Sequence, residues 1–251
     1  MSEHFTLRLA ASRMIAPTVR HLAFERVDGR SLAFVPGQFL QLHFEADGRA
    51  LRRSYSIATL PHDPANPRGL IEIAVSYVAG GAATRLLSGL AEGETLAASG
   101  PYGRFVLHAD DANRRYLLIA TGTGVTPYRA MLPQLGAQIA ARGLEVALLL
   151  GARTPVEVLY ADEFRAFAAA TPGFRFHPCL SREGSAQPHP DERRGRVQAM
   201  LAELAPDPAR DIAYLCGNPE MVDACFGLLK DAGLPVPAIR REKYVSPPDP
   251  K

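Results

Sequence analysis

The sequence predicts two domains, an antiparallel β-barrel followed by an α/β domain with a parallel sheet. From residue 5 to about 107, apolar residues recur mostly at every second position, in short runs separated by Pro, Gly and Asp. That pattern is typical of antiparallel strands. After the polar stretch 108–115, apolar runs alternate with amphipathic segments, which indicates strand–helix units. The length of 251 residues suits two ordinary domains, predicted at 1–110 and 111–251.

In the first domain, the alternation predicts strands at 5–9, 19–24, 39–44, 54–58 and 71–75, with one helix at 84–90. Short strands at this spacing favour a barrel or sandwich. The segment Pro101-Tyr102-Gly103-Arg104-Phe105 resembles a structural turn that closes barrels in a family named below.

In the second domain, continuous apolar runs predict buried strands at 116–120, 145–150, 174–180 and 212–216. Helices are predicted at 128–142, 161–170, 197–204 and 219–232. Ligands of an open parallel sheet bind beyond the carboxyl ends of its strands. Those ends read Thr-Gly-Thr-Gly, Gly-Ala-Arg, Leu-Ser-Arg-Glu and Cys-Gly-Asn, so the second domain is predicted to bind a nucleotide there.

Composition narrows the functional class. The chain is 47% hydrophobic and 22% charged with a net charge of +2, as in ordinary globular proteins. We find no secretory leader and no run approaching the roughly 20 apolar residues of a membrane span, so a cytoplasmic enzyme without a membrane partner is expected. A monomer without a nucleic-acid partner is also expected. The three cysteines are too few for a plant-type iron–sulfur centre, and no metal site is predicted.

The clearest phosphate signal is Thr121-Gly122-Thr123-Gly124, which ends a buried strand and is followed by Pro127. Gly122 and Gly124 permit a tight turn and a close backbone approach to a pyrophosphate at the start of a helix. Pro127 suits the first helical turn. A Gly-x-Gly turn alone is weak evidence.

Two further segments carry groups that bind phosphate or stack on rings. Arg53-Ser54-Tyr55-Ser56 joins a cation, an aromatic ring and two hydroxyls, although Tyr55 could be an ordinary strand residue and Arg53 solvated. Gly81-Ala82-Ala83-Thr84 reads as a turn with Thr84 as the helix N-cap, which could be an anion site or only a capped helix.

Arginines also gather in three groups, at 49–53, 193–196 and 240–243. Each could be a solvated face. Arg182 and Arg196, with the Ser181 hydroxyl, could bind the 2′-phosphate of NADP through charge-assisted hydrogen bonds. Gly-Ala-Arg follows the strand ending at Leu150 with no acid, whereas NAD recognition favours a carboxylate, so NADP is preferred.

In order along the chain, these motifs resemble the ferredoxin–NADP(+) reductase family, in particular its bacterial, FAD-containing ferredoxin or flavodoxin reductases. The resemblance covers nearly the whole chain. Arg53-x-Tyr55-Ser56 is similar to the family's flavin motif, Gly81 to Thr84 to its pyrophosphate turn and Thr121 to Pro127 to its nucleotide turn. Cys216-Gly217-Asn218 and the Glu242-x-Tyr244 ending resemble two further family motifs.

The resemblance implies where each cofactor binds. The FAD residues would be Arg53, Ser54, Tyr55, Ser56, Val75, Gly81, Ala82, Ala83, Thr84, Thr123, Tyr244 and Val245. The NADP residues would be Gly122, Thr123, Gly124, Arg153, Ser181, Arg182, Arg196, Cys216 and Asn218. Catalysis would involve Ser56 near the flavin N5, Cys216 near the nicotinamide, Glu242 as a proton relay and Tyr244 over the flavin. Read without the family, Cys216 could equally be a small core residue.

Unlike plant members, the chain continues past Tyr244 with residues 245–251. These residues either contact the FAD adenine, as in bacterial members, or fray.

The resemblance implies a flavoprotein oxidoreductase that transfers hydride between NADPH and FAD and single electrons between FAD and ferredoxin or flavodoxin. Both carriers are acidic, and the arginines at 49–53 would attract them. The alternatives are an NAD(P)H-dependent reductase serving an oxygenase, a free-flavin reductase, or a non-catalytic binding module of the same fold.

Overall fold

The structure is a computed structural model that describes residues 3–46, 48–108 and 112–245. It forms two compact units. The first comprises the described residues up to Leu107 together with Thr126–Met131, and the second comprises those from His108 to Val125 and from Leu132 onward.

The first unit is a curled antiparallel sheet with one short helix. Its elements are β1 (Glu3–Ala16), β2 (Val19–Arg26), β3 (Phe39–Ala46), β4 (Arg49–Ser56), β5 (Ile71–Ser76), α1 (Ala82–Gly89) and β6 (Thr95–Tyr102). The strands lie in the order β4-β3-β6-β1-β2-β5, and a bridge from Ile57 to Ile73 draws its two edges together. The predicted antiparallel barrel is therefore confirmed as a partly closed one.

Period-two alternation builds the core of this unit because successive strand residues face opposite sides. Phe5, Leu7 and Leu9 of β1 are all buried, and they join an interior that includes Leu40, Leu42, Ile57 and Ile73. Three element predictions were wrong. β1 extends to Ala16, β4 covers Arg49–Ser56 rather than 54–58, and Pro101 and Tyr102 end the unpredicted strand β6 instead of forming a turn.

The second unit is a parallel sheet flanked by helices. Its elements are β7 (Arg115–Thr121), α2 (Thr126–Arg142), β8 (Glu145–Ala152), α3 (Ala161–Ala170), β9 (Phe174–Leu180), β10 (Arg193–Arg194), α4 (Val197–Glu203), β11 (Asp211–Gly217), α5 (Pro219–Asp231) and β12 (Ile239–Lys243). The strand order is β10-β9-β8-β7-β11-β12, and every pairing is parallel. The predicted Rossmann-like sheet is confirmed.

The central strands β7, β8 and β11 are buried almost throughout, as expected for strands covered on both faces. The edge strands β10 and β12 were not predicted. Both are arginine-rich and short, which gives them little of the apolar signal that marks a buried strand.

None of the helices in the part of the chain that the structure describes is long and apolar enough to cross a membrane.

Candidate functional site

Strand β4 presents Arg53 and Tyr55 on the inner face of the first unit. They pair across to Leu42 and Leu40, whose side chains are fully buried, and Tyr55 packs against that core. Burial raises the pKa of Tyr55 to about 12, so its phenol stays neutral. The Arg53 guanidinium donates to the Arg52 carbonyl at 3.0 Å. Ser56, at the end of the strand, is buried.

Arg52 lies on the opposite face of the strand, since its neighbour in the register is His43. His43 hydrogen-bonds with the Ser99 hydroxyl at 2.7 Å, and the His4 ring lies 5.6 Å away, centre to centre. Burial lowers the pKa of His43, and the charges of His4 and Arg52 lower it further. The arginines grouped in the sequence at 49–53 are therefore divided between two faces of β4.

The turn before α1 has a different cap from the one predicted. The helix begins at Ala82 with Gly81 as N-cap, and no side-chain cap is formed by the residues that the structure describes. The prediction of Thr84 as N-cap was wrong. Its hydroxyl instead accepts the Val78 N–H at 2.8 Å, which holds the preceding loop closed. The first-turn N–H groups, which include those of Ala83 and Thr84, point out of the helix start.

The proposed flavin residue Val75 is 1% exposed and belongs to the core. Only its backbone is therefore available to a ligand.

The first unit also contains a charged cluster that the sequence analysis missed. The Arg129 guanidinium donates to the Ala58 carbonyl at 2.7 Å and to Glu72 at 2.6 Å, and His21 lies 3.6 Å from the same carboxylate. Arg129 and His21 are buried. Arg129 thus holds the chain two residues beyond Ser56. In the sequence, the sign of this cluster was Arg129 itself, a cation within an otherwise apolar turn of a helix.

Thr126 begins α2 and is 1% exposed. Its hydroxyl oxygen has no hydrogen-bond partner among the described residues.

In the second unit, the turn after β7 interlocks with the turn after β11. Gly122–Val125 forms a single 3-10 turn, so α2 begins at Thr126 rather than 128, with Pro127 in its first turn as predicted. A Cβ on Gly124 would lie 2.3 Å from the Cys216 carbonyl oxygen. The close approach that we expected at Gly124 for a pyrophosphate is therefore made to the Cys216 backbone.

Gly122 has a φ of +52° and open space around it. The exposed rim of the turn is thus formed by Gly122 and the half-buried Thr123.

Asn218 joins the same pair of turns. Its backbone N–H donates to the Thr121 hydroxyl at 3.0 Å. Its side-chain oxygen accepts the N–H groups of Glu220 and Met221 and so caps α5. The side-chain oxygen of Asn218 is therefore already engaged, and sequence spacing alone did not indicate this capping role.

Cys216, Glu242 and Tyr244 lie together where β11 pairs with β12. Cys216 is opposite Glu242 in the register, and the Tyr244 N–H donates to the Gly217 carbonyl at 2.8 Å. Cys216 is fully buried, which raises the pKa of its thiol well above the usual range, as does the nearby Glu242 carboxylate. The Tyr244 hydroxyl donates to the sulfur and offsets part of this rise.

Burial raises the pKa of Glu242 to about 7. Its carboxyl can therefore hold or release a proton near neutral pH, whereas the Cys216 thiol stays protonated.

The ends of β8 and β9 meet around Ala152 and Arg153. The Ser181 N–H and hydroxyl both donate to the Ala152 carbonyl, at 3.0 and 3.2 Å. The Arg182 and Glu183 N–H groups donate to the Arg153 carbonyl, at 3.0 and 3.2 Å. This brings together three of the residues proposed for the adenosine end.

Arg182 and Arg196 are both exposed. Within the ranges that the structure describes, neither guanidinium forms a hydrogen bond or an ion pair. Arg153, in contrast, is paired with Glu157. No acid directly follows Gly-Ala-Arg in the sequence, but the structure brings the Glu157 carboxylate back to this strand end.

Of the C-terminal tail, Val245 is 67% exposed. The prediction for residues 246–251 lies outside the described residues. The basic group at 240–243 is held locally, because Arg241 stacks on Phe226 at 4.0 Å and Lys243 pairs with Asp223 at 2.7 Å.

Two family profiles match the chain. The profile described as "Oxidoreductase FAD-binding domain" matches residues 6–107, and "Oxidoreductase NAD-binding domain" matches residues 118–226. FAD and a nicotinamide nucleotide are therefore the cofactors of the two units.

Similar proteins agree with this assignment. Ferredoxin–NADP reductase B of Sorangium cellulosum is 38% identical over 97% of this chain and 98% of its own length. The reductase component of propane 2-monooxygenase from Rhodococcus jostii is 32% identical over 88% of this chain, which spans 58% of that protein. The crystal structure of an Amycolatopsis cytochrome P450 reductase superposes with a TM-score of 0.83 at 31% identity, over 96% of this chain and 70% of that one. The antiparallel half-barrel, the parallel sheet and these relatives together show that the chain belongs to the ferredoxin–NADP reductase family of flavoprotein oxidoreductases.

Proposed function

We propose that the protein is an NADPH-dependent reductase of ferredoxin or flavodoxin. The observation that carries the proposal is the pair of exposed guanidinium groups, Arg182 and Arg196, beyond the ends of β9 and β10. A 2′-phosphate carries about two negative charges at neutral pH, and such cations bind it through charge-assisted hydrogen bonds. The end-to-end similarity to a ferredoxin–NADP reductase supports the same activity.

The first unit has a donor set that suits FAD. Arg53 offers a guanidinium on the inner face, and α1 begins without a side-chain cap, so both suit a pyrophosphate. Tyr55 offers a neutral ring. The buried Ser56 hydroxyl and the Thr126 hydroxyl, which has no partner in the described part of the chain, offer hydrogen bonds. In this proposal Arg53 binds phosphate, Tyr55 packs on the isoalloxazine and Ser56 donates near N5.

The second unit suits a dinucleotide phosphate. Gly122 and Thr123 form an open rim with space at Gly122, while Ser181, Arg182 and Arg196 supply a hydroxyl and two cations for the adenosine end. Cys216 contributes a small apolar contact at the nicotinamide end, because its buried thiol is not ionised. Tyr244, which bonds to that thiol, must move before a ring can reach Cys216.

When bound, the two cofactors supply hydride and single-electron chemistry, for which the protein provides binding, orientation and electrostatics. Glu242 adds a carboxyl that can hold a proton at neutral pH. Its proposed role is to exchange that proton with solvent, since it is only partly covered.

The proposed carrier is an acidic ferredoxin or flavodoxin attracted to the exposed Arg52 on the outer face of β4. Electrostatic attraction of this kind raises association rates and weakens with salt. Arg52→Gln is therefore expected to slow carrier reduction at low ionic strength and to leave ferricyanide reduction unchanged. Equal rates with the carrier would overturn this docking surface.

The second candidate is a reductase that serves an oxygenase. The similarity to the propane 2-monooxygenase reductase and to the cytochrome P450 reductase favours it. The two functions differ in the acceptor, so an assay with different acceptors separates them.

The test begins with an absorption spectrum of the purified protein. Oxidation of NADPH and of NADH is then compared with ferricyanide, ferredoxin and flavodoxin as acceptors. A flavin spectrum, NADPH preference and carrier reduction are expected. A preference for NADH would overturn the roles of Arg182 and Arg196, and failure to reduce either carrier would favour the oxygenase-linked activity.

A further inference from the structure

Directly after β8, Arg153 and Glu157 form an ion pair in which the carboxylate accepts three hydrogen bonds. Glu157 accepts the backbone N–H of Arg153 at 3.0 Å, its Nε at 3.1 Å and its Nη2 at 2.5 Å. The Arg153 hydrogen bonds lower the pKa of the Glu157 carboxyl, so the pair is ionised on both sides at neutral pH. The guanidinium fork and the adjacent amide thus bind one carboxylate together.

The backbone presets this geometry. Pro155–Glu157 forms a 3-10 turn, in which the Glu157 N–H donates to the Thr154 carbonyl at 3.1 Å and the Val158 N–H donates to the Pro155 carbonyl at 3.1 Å. Proline fixes its own φ and so favours the turn. The turn thereby brings the Glu157 carboxylate back to Arg153, the residue that follows β8. The Glu157 side chain is only 24% exposed.

Glu157 therefore takes the place that an anion would take at this strand end. A guanidinium fork with a neighbouring backbone N–H is the donor arrangement that binds phosphate or carboxylate in two-point fashion. Arg182 is tied to the same point, because its N–H donates to the Arg153 carbonyl. One cation at the proposed adenosine end is thus neutralised by the chain, whereas Arg182 and Arg196 are not paired within the described residues.

We propose that Glu157 determines nucleotide specificity. It forms an ion pair with Arg153 that carries no net charge, so the 2′-phosphate of NADPH binds to Arg182 and Arg196. The lost positive charge limits the preference for NADPH over NADH. This rests on the proposed function in that the adenosine end must bind at Arg182. The carboxylate lowers the local positive charge without blocking the ribose, so its removal changes the affinity for a 2′-phosphate and not for a 2′-hydroxyl.

The test is a calorimetric titration of the FAD-loaded protein with 2′,5′-ADP and with 5′-AMP, which differ only in the 2′-phosphate. Glu157→Gln keeps the size and one acceptor but removes the charge. It is expected to bind 2′,5′-ADP about three- to tenfold more tightly, the range for a partly exposed charge-assisted contact, with 5′-AMP unchanged. Unchanged 5′-AMP binding also reports that the site is folded.

A double-mutant cycle identifies the role of Arg153. Arg153→Ala exposes the carboxylate and should weaken 2′,5′-ADP binding, whereas Arg153→Ala with Glu157→Gln removes both charges and should restore binding to within about twofold of wild type. If Arg153 binds the phosphate itself, the double variant stays as weak as Arg153→Ala, and the proposal is wrong.

Glu183→Gln is the matched control, because it removes one acid beside Arg182 and keeps the backbone N–H through which Glu183 bonds to the Arg153 carbonyl. It should change 2′,5′-ADP affinity less than Glu157→Gln, and an equal gain would overturn the proposal in favour of net charge. If wild type binds both ligands equally, the NADPH preference fails. The Glu157 proposal is then decided separately, by whether Glu157→Gln creates a preference for 2′,5′-ADP.

Discussion

The two glycines of the turn after β7 should respond differently to the same substitution. Alanine at Gly124 places its Cβ 2.3 Å from the Cys216 carbonyl oxygen and 2.6 Å from the carbonyl carbon, where real contacts essentially never fall below 3.0 Å. Both are backbone atoms of a buried strand, so neither can rotate away as a side-chain tip could. Overpacking typically costs about 1–3 kcal/mol, and we expect Gly124→Ala to cost about 3 kcal/mol of unfolding free energy.

Gly122→Ala is the matched control in the same turn. Its Cβ meets nothing within 4 Å, but its φ of +52° is left-handed, a conformation that costs roughly 1–2 kcal/mol for a residue with a Cβ. The restricted unfolded chain recovers about 0.4–1 kcal/mol of this. We therefore expect a net loss of about 1 kcal/mol.

Urea unfolding of the FAD-loaded variants, followed by far-UV circular dichroism, measures both free energies. Gly124→Ala should also weaken NADPH binding, since it displaces the Cys216-Gly217 backbone, whereas Gly122→Ala should do so less. A Gly124→Ala variant as stable as Gly122→Ala would refute the argument that this glycine is required by the neighbouring strand end.

Three further outcomes follow from the buried charges and from Tyr244. Although burial raises the pKa of Glu72, bonds from His21 and Arg129 lower it to about 2. Glu72→Gln should therefore lower the free energy of unfolding by about 3 kcal/mol at pH 7. In urea unfolding, the difference from wild type should shrink as pH falls below about 4.5, and a difference that stays constant would contradict this. Because the pKa of Glu242 is about 7, the wild type should lose stability relative to Glu242→Gln as pH rises from about 4.5 through 7. The pH profile of kcat should show an inflection near 7 that disappears in the variant, and an inflection that persists would belong to another group. Tyr244→Ala should tighten NADP binding in equilibrium titration, because the bond to Cys216 no longer has to be broken, and weaker binding would argue against Tyr244 as a gate.

The fold was predictable because its signals are local. Period-two runs such as Phe5, Leu7 and Leu9 and continuous runs such as 116–120 specify strand type directly, and Pro127 and the Gly-Thr-Gly turn mark the start of α2. The edge strands β10 and β12 and the strand β6 were missed, since their sequences are arginine-rich or contain Gly and Pro.

The site was less predictable because its decisive contacts join distant residues. The partner of Arg153 is only four positions away, but it is brought back by a 3-10 turn that spacing does not reveal. Gly124 resembled a phosphate-binding glycine, and only the structure shows Cys216 against it, 92 positions further along the chain. Arg129 and Glu72 are likewise 57 positions apart.

The grouping of Thr126–Met131 with the first unit bears on how this chain can be divided. A fragment that ends at Leu107, near the limit of the FAD-domain match, would keep Glu72, the Ala58 carbonyl and the nearby His21 but lose the Arg129 guanidinium that bonds to both. The flavin half of this reductase is therefore discontinuous in sequence. A fragment that contains the whole first unit must also include Thr126–Met131, six residues that follow β7. During synthesis, the first unit can therefore be completed only after β7 has been made.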